Sequence, residues 1–360
     1  MKIAHKSDEI AHNMLASNLR NIPTITFNRK IFLVIYMGGD EKLIIKSYSK
    51  SVHLEAMDLL VRRLPPQHPL YTKIIMEIKT TKAGDYGEEL IFKELEKIQL
   101  PYKCYIFHRV MLRAERTFEI DMLLLTPYGV VVLEIKNIIG ELEFNENPSQ
   151  LIQTKRNGEI NNYPSPVTQL NEYKFLLSKF FLKHSLSAPV IGAIVFASRN
   201  GFVKTSSNKA TILYKNELHS YLRDLQGHSP TPILTNSQID LLKKLIMKEN
   251  SSFSYFPLTK HFFIDANEII RGVACPNCGQ IGMQKIKKKW YCPRCHLWDS
   301  KAHKDSLRTY FLLCNNYITN KACREFLQLN SRYEAKRILL NSDLIKIGDK
   351  KATKYIMREY

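Results

Sequence analysis

The chain has 360 residues, 44% of them hydrophobic, which excludes wholesale disorder and predicts two or three compact units. Lys and Arg number 53 against 34 Asp and Glu, a formal charge of +19. A polyanion is therefore the expected partner, DNA first with RNA left open, ahead of an anionic membrane, for which no amphipathic basic segment is present.

Residues 1–45 follow neither helical nor strand period for long and read as a loose arm or as sequence upstream of the functional start. No signal peptide opens the chain, and the apolar run from Ile31 to Met37 is far short of a membrane span, so a cytoplasmic protein is expected. A helical lead-in follows over 46–82. Leu54, Met57, Leu60, Val61 and Leu64 recur at helical spacing until Pro65-Pro66, and a second helix is predicted from Leu70 to about Lys79.

Residues 83–255 alternate helix and strand, which predicts an α/β layer fold. The expected elements are a helix over Tyr86–Ile98, strands over Tyr102–Met111, Phe118–Thr126 and Gly129–Asn137, a polar Asn-rich excursion, a helix from about Thr168 to Leu182, and a buried strand over Val190–Ala197. The turn Thr126-Pro127-Tyr128-Gly129 makes the second and third strands a hairpin.

In the strand Val130–Asn137, Glu134 and Lys136 sit two apart among apolar neighbours and so share a sheet face. Charged groups there are costly to desolvate, and hydrophobes would serve packing better. Asp121 lies amid apolar residues on the preceding strand and can approach Glu134 through the hairpin. Two hard oxygen ligands beside an amine suit phosphodiester hydrolysis: the carboxylates hold Mg²⁺ or Mn²⁺, which polarises a phosphate oxygen and acidifies water, while the lysine helps place the nucleophile. A structural Glu134–Lys136 ion pair is the alternative. Glu88 shares a helical face with Ile91, Phe92 and Leu95 and should point at the sheet, although a first-turn glutamate can simply complement a helix dipole. Gln169 and Tyr173 lie one turn apart and could bind a phosphate or a base, or be incidental.

These residues resemble the nuclease-related domain, NERD, of the PD-(D/E)xK superfamily. The matching features are Gly84-x-x-Gly87-Glu88, Ile120-Asp121, Glu134-Ile135-Lys136-Asn137 with Gly140, and Gln169; the Gln169-to-Tyr173 spacing is similar to the QxxxY element of exonuclease relatives. Ile120 stands where the superfamily name has proline. The resemblance covers about residues 50–200. It implies a restriction-endonuclease-like mixed sheet flanked by helices, a divalent metal at Asp121 and Glu134, Lys136 as catalytic lysine, and Glu88 as accessory ligand or base.

Over 268–303, Cys275-Pro276-Asn277-Cys278 and Cys292-Pro293-Arg294-Cys295 are two knuckles whose four thiolates complete a closed tetrahedron, a zinc ribbon with structural Zn²⁺. Lys287, Lys288 and Lys289 followed by Trp290 suit phosphate neutralisation with base stacking, or else form a solvated tip with Trp290 packed on the ribbon. Cys104, Cys314 and Cys323 stand singly, so no disulfide is expected.

Over 304–360, Thr319-Asn320 and Asn330-Ser331 cap two short helices, and the Gly348-Asp349 bend joins a hairpin. The segment resembles a winged helix, with Arg332, Lys336 and Arg337 on the second helix and Lys350 and Lys351 on the wing available to DNA. A helix pair that merely covers the ribbon is the alternative. The combined expectation is a metal-dependent DNA nuclease with DNA-binding accessory modules, or a noncatalytic DNA-binding protein on the same scaffold.

Overall fold

A computed structural model of the chain describes residues 42–228, 231–251 and 257–358. Residues 1–41 of the expected arm, with the Ile31–Met37 run, lie outside the described residues; Lys42–Lys46 forms a strand, β1.

Helix α1, Val52–Arg63, starts on Ser51, whose hydroxyl accepts from the Leu54 N–H, and ends before the paired prolines as expected. The next helix differs from expectation. In place of two helices divided near Gly84, a single helix α2 runs over Tyr71–Leu95. A glycine inside a helix costs only about 1 kcal/mol, and the close packing at Gly87 described below outweighs it.

Strands β2 (Cys104–Arg113), β3 (Thr117–Thr126) and β4 (Gly129–Lys136) pair antiparallel in sequence, with the hairpin where the turn tetrad predicts it. The Asn-rich stretch is not a plain excursion. It forms β5 (Gly140–Glu146), β6 (Ser149–Thr154) and β7 (Ile160–Pro164), anchored to the core by Leu142, Phe144 and Leu151. Three apolar anchors among so many polar residues leave too weak an alternation to read in the sequence. Then come α3 (Pro166–Lys183), β8 (Val190–Phe196), β9 (Gly201–Thr205), β10 (Thr211–Tyr214), α4 (Leu218–His228) and α5 (Asn236–Glu249).

The main sheet has six strands in the order β1-β2-β3-β4-β8-β10. It is mixed: β1 with β2, β4 with β8 and β8 with β10 run parallel, the other pairs antiparallel. Helices α3 and α5 cover one face, through residues such as Leu177, Phe181 and Leu242. The C-terminal half of α2 and helix α4 cover the other, through Ile91, Leu95 and Leu222. A second, four-stranded sheet of order β7-β6-β5-β9 leaves the main sheet at the end of β4, where the Gly140 N–H donates to the Asn200 carbonyl at 2.9 Å. Gly140 has φ +99, and a Cβ there would lie 2.6 Å from the Thr154 carbonyl oxygen, so the turn after the Glu-Ile-Lys strand admits only glycine without displacement.

A separate core holds the C-terminal region: α6 (Leu258–His261), β11 (Gln284–Ile286), β12 (Lys289–Tyr291), β13 (Trp298–Asp299), α7 (His303–Leu313), β14 (Tyr317–Ile318), α8 (Asn320–Leu327), α9 (Arg332–Leu340), β15 (Leu344–Ile347) and β16 (Lys354–Met357). Thr319 and Ser331 cap α8 and α9 with their hydroxyls, as expected. This core also takes Leu54, Met57 and Leu60 of α1 and Ile74 and Ile78 of α2, packed with Trp290, Leu313 and Phe326. Helix α2 thus serves two cores, one with each half. Arg63 at the end of α1 is buried; it donates to the carbonyls of Ile270 and Gly272 and lies 4.9 Å over the Phe326 ring. Among the described residues no helix is long and apolar enough to cross a membrane.

Candidate active site and metal centre

The ladder between β3 and β4 ends with Met122 opposite Leu133. One step further along the same register Asp121 faces Glu134, and here the Ile135 N–H donates to Asp121 Oδ2 at 2.8 Å. Glu134 is 1% exposed and accepts on Oε1 from Lys136 Nζ at 2.6 Å. The amine also donates to Gln169 Oε1 at 3.0 Å, and Gln169 Nε2 donates to the Tyr173 hydroxyl at 3.0 Å. Glu134 and Lys136 therefore share the face covered by α3, as the period of two requires. Asp121, Glu134, Lys136, Gln169 and Tyr173 form one connected group.

Glu134 Oε2 is buried and has no hydrogen-bond partner. A carboxylate oxygen in that state is costly unless a cation or an ordered water meets it. Burial and then the neighbouring Asp121 push Glu134 up to about 8. Burial and then the charge of Glu88 push Asp121 up to about 7, against the pull of Lys136. Burial opposes charge on Lys136 as well, but Glu134 and Asp121 outweigh it and hold its pKa above the ordinary lysine value. Two carboxylates facing one amine leave the pocket short of positive charge, and the donor set of hard oxygens fits Mg²⁺ or Mn²⁺.

Glu88 is buried as expected but stands apart from that ligand set. His108 Nε2 lies 2.8 Å from its Oε2 and Arg109 Nη2 lies 2.9 Å from its Oε1. The Ser49 N–H donates to His108 Nδ1 at 3.2 Å, so the proton of the neutral ring sits on Nε2 and points at Glu88. Burial, then Arg109 and Lys46, push His108 down to about 3, which keeps the ring neutral. Burial raises Glu88 to about 7 against the opposing pull of Arg109. Arg109 also meets Asp85 Oδ1 at 2.7 Å and Glu119 Oε1 at 3.4 Å. Tyr48 OH and the Ser51 N–H complete the shell of Asp85. A cleft of about 620 Å³ next to this network is lined by Tyr48, Arg62, Lys82, Asp85 and Tyr86.

The strands reverse phase across the site. On β2, Tyr105 and Phe107 and then Val110 and Leu112 face the same core; on β3, Phe118 and Ile120 and then Leu123 and Leu125 do so. The reversal falls at Arg109, whose φ of 52 is left-handed, and at Asp121 opposite it, between the pairs His108–Met122 and Val110–Ile120. A non-glycine residue in that region costs on the order of 1 kcal/mol or more and persists where surrounding contacts hold it; here the Lys46 amine grips the Arg109 carbonyl and the side chain is salt-bridged.

Helix α2 reaches the site through Gly87. A Cβ there would lie 2.6 Å from Asn137 Cβ, and Asn137 Nδ2 donates to the Ala83 carbonyl at 2.7 Å. The Gly-Glu pair thus lets the helix touch the end of the Glu-Ile-Lys-Asn strand.

The sequence reading missed the roles of Asp85, His108 and Arg109. Their signal was present: a histidine and an arginine inside the apolar strand Cys104–Leu112 call for the same explanation as Glu134 and Lys136.

In the C-terminal region the four sulfurs of Cys275, Cys278, Cys292 and Cys295 lie within 4.8 Å of one another. Cys275 Sγ is 3.5 Å from Cys295 Sγ, and Cys278 Sγ is 3.5 Å from Cys292 Sγ, a cluster able to hold a metal such as zinc. Among the described residues it is the one group of three or more potential ligands this tight; the acidic trio of Glu88, Asp121 and Glu134 does not draw together in the same way.

Lys287, Lys288 and Lys289 are exposed at the hairpin tip. Trp290 does not join them, which corrects the expectation of a stacking residue: it is 1% exposed, its indole N–H donates to His303 Nδ1 at 3.1 Å, and Lys285 Nζ lies 4.7 Å over its ring. A ring packed in the core cannot receive a base. On α9, Arg332, Tyr333, Lys336 and Arg337 are exposed on one side while Ala335, Ile338 and Leu339 are buried. Lys350 is exposed, and the Lys351 side chain lies outside the described residues.

The family model of the nuclease-related domain matches residues 83–197. This span, 115 of the 360 residues, holds the α2 glycines, Asp121, the Glu134–Lys136 strand, Gln169 and β8, and over it the chain is similar to a nuclease-related domain. No curated protein and no solved structure matches the chain.

Proposed function

We propose that the chain is a divalent-metal-dependent DNA nuclease of the PD-(D/E)xK type, with Asp121 and Glu134 as metal ligands and Lys136 as the catalytic amine. The observation that carries this reading is the buried, unpartnered Glu134 Oε2 beside the half-buried Asp121 carboxylate and with the Lys136 ammonium on its other oxygen. A Mg²⁺ or Mn²⁺ ion held there supplies charge to a phosphate oxygen and acidity to a water. Lys136 stands 2.6 Å from Glu134 and 3.0 Å from Gln169, where its charge offsets that of a phosphate and its protons orient a water. Gln169 fixes the amine, and Tyr173 fixes Gln169. Glu88, with both oxygens held, supports the site by its charge and is not a direct ligand in this arrangement.

The accessory modules fit the same purpose. Cys275, Cys278, Cys292 and Cys295 hold a structural zinc as a zinc ribbon, and α8, α9 and the β15–β16 hairpin act as a winged helix whose basic stripe, Arg332, Lys336 and Arg337 with Lys350, meets phosphates. DNA is the substrate favoured by the formal charge of +19.

The test is cleavage of single- and double-stranded DNA with Mg²⁺ or Mn²⁺, comparing the wild type with Asp121→Ala and Glu134→Ala. Loss of at least a hundredfold in both variants is expected; equal cleavage by parent and variants refutes the assignment. A noncatalytic DNA-binding role is favoured by one observation, the full engagement of Glu88 by His108 and Arg109. It predicts salt-sensitive binding with no hydrolysis under any divalent metal.

A further inference from the structure

The inward turn of Trp290 decides what the small C-terminal sheet shows to solvent. Because side chains alternate along a strand, burying Trp290 puts Lys289 and Tyr291 on the opposite face of β12. The register extends that face: Gln284 pairs with Tyr291, Ile286 with Lys289, and Tyr291 with Trp298. Trp298 is 49% exposed, and its ring lies 4.8 Å from that of Tyr291 at an interplanar angle of 42°. The Tyr291 hydroxyl is hydrogen-bonded to His296 Nδ1 at 2.6 Å, which fixes the ring, and His296 adopts a left-handed φ of 59. Over residues 275–303 there are six Lys and Arg against a single Asp.

We propose that this face is a stacking platform for single-stranded DNA, with Tyr291 and Trp298 receiving successive bases and Lys287, Lys288, Lys289 and Arg294 meeting the backbone. Paired rings on an open, cationic sheet suit bases whose faces are free, which those of a duplex are not. The local excess of positive charge opposes a second copy of the chain on the same face and favours a polyanion. The choice of DNA over RNA rests on the nuclease reading above; the platform itself does not require hydrolysis.

The chain contains two tryptophans, one buried and one on the platform, and this gives a direct readout. Full-length, zinc-replete protein is titrated without added divalent metal against fluorescein-labelled dT20, a 20-base-pair duplex and U20, with intrinsic fluorescence followed in parallel. The wild type is expected to bind dT20 with strong quenching. Trp298→Ala and Tyr291→Ala each lose roughly 5- to 150-fold in affinity for dT20, the loss of one stack of about 1–3 kcal/mol. Trp298→Phe keeps affinity within about threefold while the quenching disappears, because only Trp290 remains. Zinc content and thermal midpoint of these solvent-face variants stay at the wild-type values, so misfolding is recognised if it occurs. Wild-type affinity in Trp298→Ala, or quenching that persists in Trp298→Phe, overturns the platform. Tighter binding of U20 than of dT20 overturns the choice of DNA, and a wild-type dimer that Trp298→Ala dissolves replaces nucleic acid by a second copy. None of these outcomes depends on cleavage, so failure of the nuclease reading and failure of this one are separable.

Discussion

Glu134 shows how a single side chain can set a pH dependence. Its pKa stands at about 8 against an ordinary glutamate value of about 4.3. A raised carboxylate binds its proton more tightly in the folded state, so its contribution to stability is complete below about pH 4 and is lost as pH rises through 8. Asp121, raised to about 7, acts in the same direction. The metal-free protein is therefore expected to lose stability, on the order of a few kcal/mol, between pH 5.5 and 8.5. Glu134→Gln should flatten that slope, and Mn²⁺ should restore the wild type but not the variant at pH 8.5. Urea unfolding at the two pH values decides it, and identical slopes for parent and variant remove Glu134 as the cause. Arg109 is the second critical residue. Arg109→Ala leaves Asp85 and Glu88 buried without their cation, a loss expected to cost about 3–5 kcal/mol. Arg109→Lys should not rescue it fully, because an ammonium cannot bridge three carboxylates with a planar fork. The thermal midpoints of the two variants measure this.

At the scale of elements, the contact between α2 and β4 governs the site. Gly87→Ala drives a methyl into Asn137 Cβ, 2.6 Å away, and should cost about 1–3 kcal/mol while also weakening Mn²⁺ binding through displacement of the strand end. Gly84→Ala, with open space around its Cβ position, should be neutral or stabilising, and a calorimetric comparison of the two separates packing from helix propensity. The β3–β4 hairpin, the α3 helix and the caps of α8 and α9 were legible because turn chemistry, amphipathic period and Ser/Thr capping act within a few residues. The fusion of two expected helices into α2 was not legible, since Gly84-Asp85 has the composition of a break and only packing on both cores keeps the helix continuous. Strands β5 to β7 stayed hidden because β5 and β6 bury two side chains each and β7 buries none, so they draw their stability from pairing with neighbours.

For the molecule as a whole, the two cores meet through one helix. Cys275, Cys292 and Trp290 share a core with α1 and with Ile74 and Ile78 of α2, so stripping a metal from the cysteine cluster should be felt there. Hydrogen exchange after chelation is expected to show loss of protection in β11–β13, α7 and α1, with β3, β4 and β8 unchanged. Uniform loss across the main sheet would show instead that the cores unfold together. The charge of +19 sets a second expectation: DNA affinity should fall steeply and log-linearly with salt.

From the sequence alone came the nuclease-like motif set, the four clustered cysteines, the excess of positive charge and the alternation that pairs Glu134 with Lys136, because each depends on residue type and short spacing. Tertiary structure decided which charged groups meet. It put Glu88 in the hands of His108 and Arg109, reversed two strands at Arg109 and Asp121, sent Trp290 inward and left Trp298 outside. These outcomes depend on which face of an element its neighbours cover, a choice made by contacts between residues far apart in the chain, where no local pattern records it.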